Sequence, residues 1–426
     1  MAERLYYSDP FLRKFSARVA EIHELSRAGG QSVWRVALDR TAFYPTSGGQ
    51  PHDLGILTAT SRSGAVLEVP ILAVEEDEHG EVWHHTDKPL LAGTEVSGEI
   101  DWTRRFDHMQ QHSGQHLLSA VFERELHAST VSFHLGETSS TIDLDVESLS
   151  SHNIERVERI ANEIIAEDRA VTMRNVSRSE AEALFSAGHL RKLPDREGTI
   201  RLIEIAGCDL NACGGTHVRS TGQIAGLLLR GIERSRHGVR VEFVCGLRAV
   251  TAARQDFAAL TRIAGLISTH RADTPAMVEK LLHEAKTSAK TKQKLYEELA
   301  NYHTARLLVE VWAKDGLRVV RRTFADRDAD YIKLLASRLT SAAPHTVALL
   351  ASTQQEPACA VLAHSGDLDF NAGQLFRESL AQFGLRGGGS ATLAQGNVPQ
   401  QYLAPLFDSI EATIRDVRAV VPNDPA

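Results

Sequence analysis

The sequence predicts an α+β protein: an N-terminal β-barrel-like lobe, an α+β middle domain, a long helical linker and a C-terminal α/β domain. Three observations lead there. Short β-type runs broken by Gly, Pro and Asp fill residues 1–100, a helical three-four spacing begins near Asp107, and strands alternate with helices beyond residue 312. The length agrees, since 426 residues at about 150 per domain give about three domains.

In chain order, VWRVALDR, GILTATSR, AVLEVPILAVEE and EVWHHTD read as strands of a small barrel or sandwich, joined in part by TAFYPTSGGQPHDLG. The next domain, 101–250, opens on a helix in which Met109, His112, His116 and Leu117 or Ala120 share a face. VSFHLG and TSSTIDLDV form a hairpin. A helix over 151–167 follows, with Ser150, Ser151 and Asn153 as cap candidates. GTIRLIEIAG, GQIAGLLLRGIERS and VRVEFVCG return to β character, with the loop CDLNACGGTHV between the first two. Residues 251–312 turn to Ala, Lys, Glu and Leu. Positions 278, 281, 285, 288, 292, 295, 299 and 302 make a three-four seam that suits either a dimerising coiled coil or a helix packed within the chain. The segment 313–426 supplies LRVVRRTF, DADYIKLLASRL, TVALLAST, ACAVLAHS, NAGQLFRESLAQF, the Gly-rich loop LRGGGSATLAQG and PLFDSIEATIRDVR, an α/β domain of its own.

Composition narrows the function classes. A hydrophobic share of 42% and a charged share of 24% describe a globular chain and argue against disorder or a fibrous fold. The net charge of −8 argues against a chain coated in basic residues, but leaves room for a local basic groove. No apolar run approaches a membrane span, and the N-terminus mixes charge with apolar residues, so neither a signal peptide nor an anchor is expected. Cytoplasmic residence without membrane association follows. Four cysteines in a chain this long do not make a disulfide framework, and Cys208 and Cys213 fall in one Gly-rich stretch, which points to metal or catalysis.

The chemistry gathers at two pairs. His112 and His116 stand at i, i+4, so both imidazoles leave one helix face and reach one ion. Cys213 and His217, in CGGTH, add soft sulfur and another nitrogen from a loop that Gly214 and Gly215 let turn sharply. A His, His, Cys, His set is what zinc prefers. Four protein ligands close a structural site, whereas catalysis keeps a position open, and the residues alone leave both cases standing.

HSGQHLL followed at long range by CGGTH, with TAFYPTSGGQPHDLG upstream and VSFHLGETSSTIDLD between, resembles the editing domain of alanyl-tRNA synthetase. It resembles most the free-standing alanyl-tRNA editing proteins of the AlaX type, over roughly residues 1–250. The remainder, a helical linker and an α/β module ending in GLRGGGSATLAQG, is similar to the synthetase's C-terminal accessory domain, which is shared with DHH-type phosphoesterases. The whole therefore looks like a long-form editing protein. A DHH tripeptide is missing, since Asp107, His108 and Met109 fail at the third position. Neither phosphoesterase activity nor amino-acid activation is expected.

The resemblance implies an aminoacyl-tRNA hydrolase that deacylates mischarged alanine tRNA, seryl first and glycyl second, with one Zn2+ per chain held by His112, His116, Cys213 and His217. Thr46, Ser47 and Gln50 would read the serine hydroxyl. A pocket built to hydrogen-bond that hydroxyl rejects a side chain lacking it by about 10⁴–10⁵. Ser132, His134 and Ser139 or Ser140 are further candidates for the pocket wall. For tRNA, Arg230, Arg234, Arg236, His237 and Arg240 form one arginine-rich cluster, Arg104 and Arg105 a second, and Arg386, Gly387, Gly388 and Gly389 a Gly-rich approach to phosphate. A homodimer through the linker or the C-terminal domain is a further expectation. The alternatives are a non-catalytic tRNA-binding protein with a structural zinc and a zinc hydrolase of another small ester.

Overall fold

The computed structural model describes residues 1–426 except 29, 30, 62, 192, 195–197, 237 and 420–426. The chain divides into two units, Met1–Arg262 and Ile263–Ala426.

The first unit begins with a closed barrel. Its strands run in the order Lys14–Ala28, Gln31–Leu38, Val82–Thr86, Val66–Glu76, Gly55–Thr60 and Glu95–Ile100, which returns to the first. All six contacts are antiparallel, and alternate residues such as Phe15, Val36, Leu57, Val69, Val82 and Val96 fill the interior. Closure leaves no strand edge exposed. The barrel presents its 42–53 connection to the helix that follows.

That helix is Trp102–Leu126, capped by the Asp101 side chain on the Arg104 amide and ended by His127 in the left-handed region. It is polar over QQHSGQH yet buried from His108 to Phe122, because structure packs around it on several sides. One neighbour is the antiparallel sheet Leu227–Ser235, Gly238–Cys245, Ser140–Leu144 and Thr130–Leu135. Another is the helix Ser151–Ala166, whose cap is Ser150. A three-stranded sheet, Val171–Val176, Ile200–Ile205 and Asp209–Ala212, ends where the CGGTH segment starts. Met109, Leu117, Val121, Ile142, Phe243 and Ile205 close one core.

The second unit is a five-stranded mixed sheet in the order Arg318–Phe324, Thr346–Ser352, Ala358–His364, Leu393–Val398 and Gly387–Gly389. The first pair is parallel and crosses over through the helix Ala329–Ala342. Two differences from the sequence reading appear. The linker is two helices, Leu247–Leu266 and Thr274–Glu310, and four of its seam residues, Val278, Leu281, Leu295 and Tyr302, are exposed while Leu299 packs on the core of the second unit. The Gly-rich loop is in fact an edge strand: Gly387 and Gly389 pair with Gly396 and Ala394. A side chain at Gly389 would stand 2.1 Å from the Leu393 carbonyl oxygen, so close strand approach already accounts for glycine there. No helix among the described residues is long and apolar enough to cross a membrane.

Candidate metal centre

His112 and His116 project from one face of the Trp102–Leu126 helix, their rings 5.3 Å apart, as the i, i+4 spacing requires. Cys213 and His217 arrive on the segment that leaves Asp209–Ala212, and the four donor atoms lie within 4.8 Å of one another. The Cys213 Sγ stands 3.4 Å from His112 Nε2 and 3.3 Å from His217 Nε2. All four side chains are buried or nearly so. Gly215 permits this approach, because a Cβ there would meet His112 Cε1 at 2.2 Å.

Each imidazole is aimed from behind. His112 Nδ1 donates to Gln50 Oε1 at 2.9 Å, His116 Nδ1 to Asp209 Oδ2 at 3.2 Å, and His217 Nδ1 to Ser113 Oγ at 3.3 Å. With every Nδ1 engaged from behind, each ring turns its Nε2 toward the interior of the cluster. Gln50 is wholly committed: its Oε1 also accepts the Thr216 amide and its Nε2 donates to Thr216 Oγ1. Asp209 in turn accepts from Arg191 and Asn211.

The four groups are electrostatically coupled. Burial pulls the His116 imidazole down, but the Asp209 carboxylate and the Cys213 sulfur outweigh it and carry it to about 9. Burial would raise the Cys213 thiol, yet His112 and His217 hold it well below the usual thiol range, and burial together with His112 pushes His217 down to about 3. A thiolate among inward-turned nitrogens is a donor set for a borderline-soft ion such as zinc. These residues therefore fit the metal that the sequence resemblance implies.

The surroundings sort the other candidates. Thr46, on the exposed 46–49 turn, bonds His52 Nδ1 at 2.9 Å, and Ser47 is exposed beside it. Phe133, not its neighbours, leans on His112, with ring centroids 6.0 Å apart. Strand alternation thus turns Ser132 and His134 to the exposed face of the sheet, away from the cluster; Ser132 bonds Asp143 there. Ser140 is buried on the core side, and Ser139 lies on a cavity of about 800 Å³ at the start of the Trp102–Leu126 helix. Among the arginines, Arg105 is fully buried, held by Asp53 and by the carbonyls of Pro10 and Ala42, so it cannot reach solvent or RNA. Arg104 donates to the His52 carbonyl and Glu137. Arg230 pairs with Asp256 and Arg240 with Asp143, while Arg234 and Arg236 are exposed at the hairpin tip with no carboxylate partner among the described residues. His237 lies outside the described residues. In the second unit, Arg386 and Gly387 line a polar cavity of about 630 Å³ with Lys333 and Asn397; Gly388 and Gly389 belong to the edge strand beside it.

Sequence reasoning misses Asp209, Ser113, Thr216 and Arg201. Arg201 donates to the carbonyls of Cys213 and Gly215, both at 2.8 Å, and fixes the segment that carries two ligands. It also lies over the Tyr7 ring and borders a cavity of about 450 Å³ that reaches Cys213. The signal for Asp209 is present in CDLNACGGTH, where a carboxylate precedes the cysteine by four residues.

Residues 200–241 match the family described as the threonyl and alanyl tRNA synthetase second additional domain. An alanine–tRNA ligase of Pyrococcus abyssi is 31% identical over 422 residues, which are 96% of this chain and 43% of the ligase. The chain thus spans under half the length of that ligase. The alanyl-tRNA editing protein AlaX-M of Methanosarcina mazei is 37% identical over 242 residues, 55% of this chain and 92% of that protein. The alanyl-tRNA editing protein Aarsd1 of Mus musculus is 31% identical over 343 residues, covering 78% of this chain and 80% of its own length. With 92% of one such protein and 80% of the other matched at over 30% identity, the chain belongs to the alanyl-tRNA editing family.

Proposed function

We propose that the chain is a zinc-dependent hydrolase that cleaves the ester between a wrongly attached amino acid and alanine tRNA, with serine the first substrate and glycine the second. The observation that carries this reading is the converged quartet His112, His116, Cys213 and His217, with all three Nδ1 atoms tied outward, in a chain of the alanyl-tRNA editing family. Those four residues would hold the ion, which when bound supplies Lewis-acid chemistry to ester hydrolysis.

The chain's own residues do the rest by positioning. Gln50, Asp209 and Ser113 fix ring orientation, and Arg201 fixes the Cys213 segment, so the site is formed before substrate arrives. Thr46, with its hydroxyl on the 46–49 turn, is the residue assigned to the serine hydroxyl, while Gln50 acts through His112. Arg234 and Arg236 are the cations assigned to the RNA backbone.

A closed structural zinc in a tRNA-binding protein is the second reading, favoured by the same four donors because they satisfy a tetrahedral ion. One comparison separates the two: hydrolysis of seryl- against alanyl-tRNA for alanine by the zinc-loaded protein. The expected ratio is at least about 100-fold in favour of the seryl ester. Equal rates remove the editing claim, and tight tRNA binding with no hydrolysis of either ester establishes the structural reading.

A further inference from the structure

The cavity of about 800 Å³ at the start of the Trp102–Leu126 helix lies within the first unit, and none of the four cluster residues lines it. Its size falls in the range of about 300–1,000 Å³ typical of sites for small molecules. The hydrolysis proposed above does not use it.

Charge is its first feature. The three guanidiniums on its lining are each matched: Arg104 meets Glu137, Arg230 meets Asp256 and Arg248 is held by Asp107. Two further carboxylates on the lining, Asp101 and Glu242, have no cation partner among the described residues. Asp101 caps the helix through the Arg104 amide. Glu242 is half-buried on the Gly238–Cys245 strand. The neighbouring strand shifts register between Leu229 and Gly231, and a Cβ at Gly231 would stand 3.2 Å from Glu242 Oε2. Bulge and glycine together keep room beside a carboxylate that the described residues do not neutralise. Taking such a group partly out of water without a counter-ion is costly, and a bound cation would relieve that cost.

A second observation is independent of the carboxylates. His108, 2% exposed, lines the same cavity, and its Nδ1 is buried with no hydrogen-bond partner among the described residues. Burial, helped by Arg104 and Arg248, pushes this imidazole down to about 3, so the ring is neutral and carries a free lone pair. Native folds rarely leave a buried polar atom unpaired, and an N–H donor on an occupant would pair it.

The wall selects the body of the ligand. Phe106 stacks on Trp102 with ring centroids 5.5 Å apart, and the Arg13 guanidinium lies 4.2 Å over the Trp102 ring, so little ring face is left for a planar molecule. What remains is ring edge, Ala252 and the exposed Leu247. Such a surface takes methylene groups.

We propose that this cavity is a second ligand site, separate from the metal centre, for an aliphatic diamine or polyamine, with one ammonium on Glu242, an N–H toward His108 and the methylene chain along Phe106 and Leu247. Two unmatched carboxylates call for two ammonium groups. The inference does not depend on the deacylase reading.

The probe is hexamethylenediamine, titrated by calorimetry into the zinc-loaded protein, with hexanediol and adipate as the neutral and anionic forms of the same six-carbon chain. Saturable binding of the diamine in the millimolar range or tighter is expected, with the other two at least about tenfold weaker. Glu242→Gln keeps the shape and removes the charge, and Thr251→Trp fills the cavity from an exposed helix position; each weakens the diamine by about tenfold or more. Glu155→Gln removes an exposed carboxylate away from the cavity and leaves binding within about twofold. If Glu242→Gln melts earlier than the unaltered protein, Thr251→Trp decides alone. Four outcomes overturn the proposal: no saturable binding of the diamine by the unaltered protein, hexanediol or adipate bound as tightly, binding undiminished in Thr251→Trp, or Glu155→Gln weakening it as much as Glu242→Gln. The last would make the attraction a diffuse effect of the net charge of −8.

Discussion

Met1–Arg262 and Ile263–Ala426 are both closed by apolar cores, but they bury different polar groups. The first encloses Gln50, Asp53, Arg105, His108, Gln111, His112, Ser113, His116, Asp209 and His217. In the second the buried polar residues among those described are hydroxyl side chains and His364, set among Leu349, Phe376, Leu406, Tyr331 and Leu335. Burying charge and imidazole costs several kcal/mol per group unless each is bonded, so a fold carries such a network only where something requires it. In the first unit Gln50, Ser113 and Asp209 converge on the quartet by bracing its rings, while the Asp53–Arg105 pair and Gln111 tie the helix to the barrel and to the Gly238–Cys245 strand. The second unit shows what the same chain builds when packing alone is at stake.

The strongest way to break that contrast is to remove the thiolate. Cys213→Ala takes the only sulfur from the quartet, and metal content should fall from one per chain to near zero, with seryl-tRNA hydrolysis down by at least about 10³. Amide exchange in the Thr346–Ser352 strand should not change, since none of the four donors comes from the second unit. Faster exchange there would mean that the two units share their stability.

The complementary change sits in the other core. Leu349→Ala deletes a fully buried side chain from the five-stranded sheet and should cost about 2–5 kcal/mol in the unfolding of that unit. Zinc content and hydrolysis should be retained. Loss of metal in this variant would show that the contrast is wrong from the opposite direction.

Acid sharpens the comparison without any substitution. Inside the barrel His84 is bonded to Thr41 and to the Val36 carbonyl, and burial holds its imidazole at about 4, against an ordinary value near 6.5. A folded-state value below the unfolded one means the neutral form is favoured by folding. Its contribution is complete above pH 6.5 and is lost as pH falls through that value toward 4, about 3 kcal/mol at full extent. Thermal unfolding followed by near-ultraviolet circular dichroism should show the first unit losing stability over this window. His84→Gln should flatten the dependence, and an unchanged slope in that variant would assign the titration to another group.

How much of this was legible before the fold was seen depends on the range of the interaction. His112 and His116 declare themselves because a helix face is a local property, and CGGTH because glycine, thiol and imidazole lie together in sequence. Their braces do not, since Asp209 reaches His116 across 93 positions and Gln50 reaches His112 across 62. Ser132 and His134 show the limit of motif reading on a strand: a shift of one residue exchanges the faces, and here it is Phe133 that meets the site. Arg105 reads as a surface cation and is instead the buried clamp between barrel and helix, because its partner Asp53 is 52 positions away. The barrel and the C-terminal sheet are visible in alternation, yet the long Lys14–Ala28 strand is easily passed over, since the polar Ser16 and Arg18 stand between Phe15, Ala17 and Val19.

A smaller effect probes the bracing itself. Asp209→Asn keeps the shape but replaces the carboxylate that holds His116 Nδ1, and zinc affinity should weaken by about 10–100-fold. Competition against a chromogenic chelator measures it. Affinity within about twofold of the unaltered protein would reduce Asp209 to a partner of Arg191.

The smallest expected effect concerns the surface of the first unit, where exposure and pairing make opposite forecasts for neighbouring arginines. Arg234 and Arg236 sit at the tip of the Leu227–Gly238 hairpin and have no carboxylate partner among the described residues, so each can exchange hydration for a phosphate contact. Arg240 already engages Asp143 through two nitrogens and would have to give that up first. Removing a phosphate contact lowers the slope of log affinity against log salt by about 1 and weakens binding evenly across sequences. Arg234→Ala should therefore reduce the salt slope for tRNA by about 1, while Arg240→Ala should leave it nearly unchanged. Filter binding at several potassium concentrations decides the matter. If Arg240→Ala lowers the slope and Arg234→Ala does not, the RNA lies across the sheet face that carries Asp143 and Ser132 rather than at the hairpin tip, and the exposed Ser132 and His134 become contacts to the nucleic acid instead of bystanders to the metal.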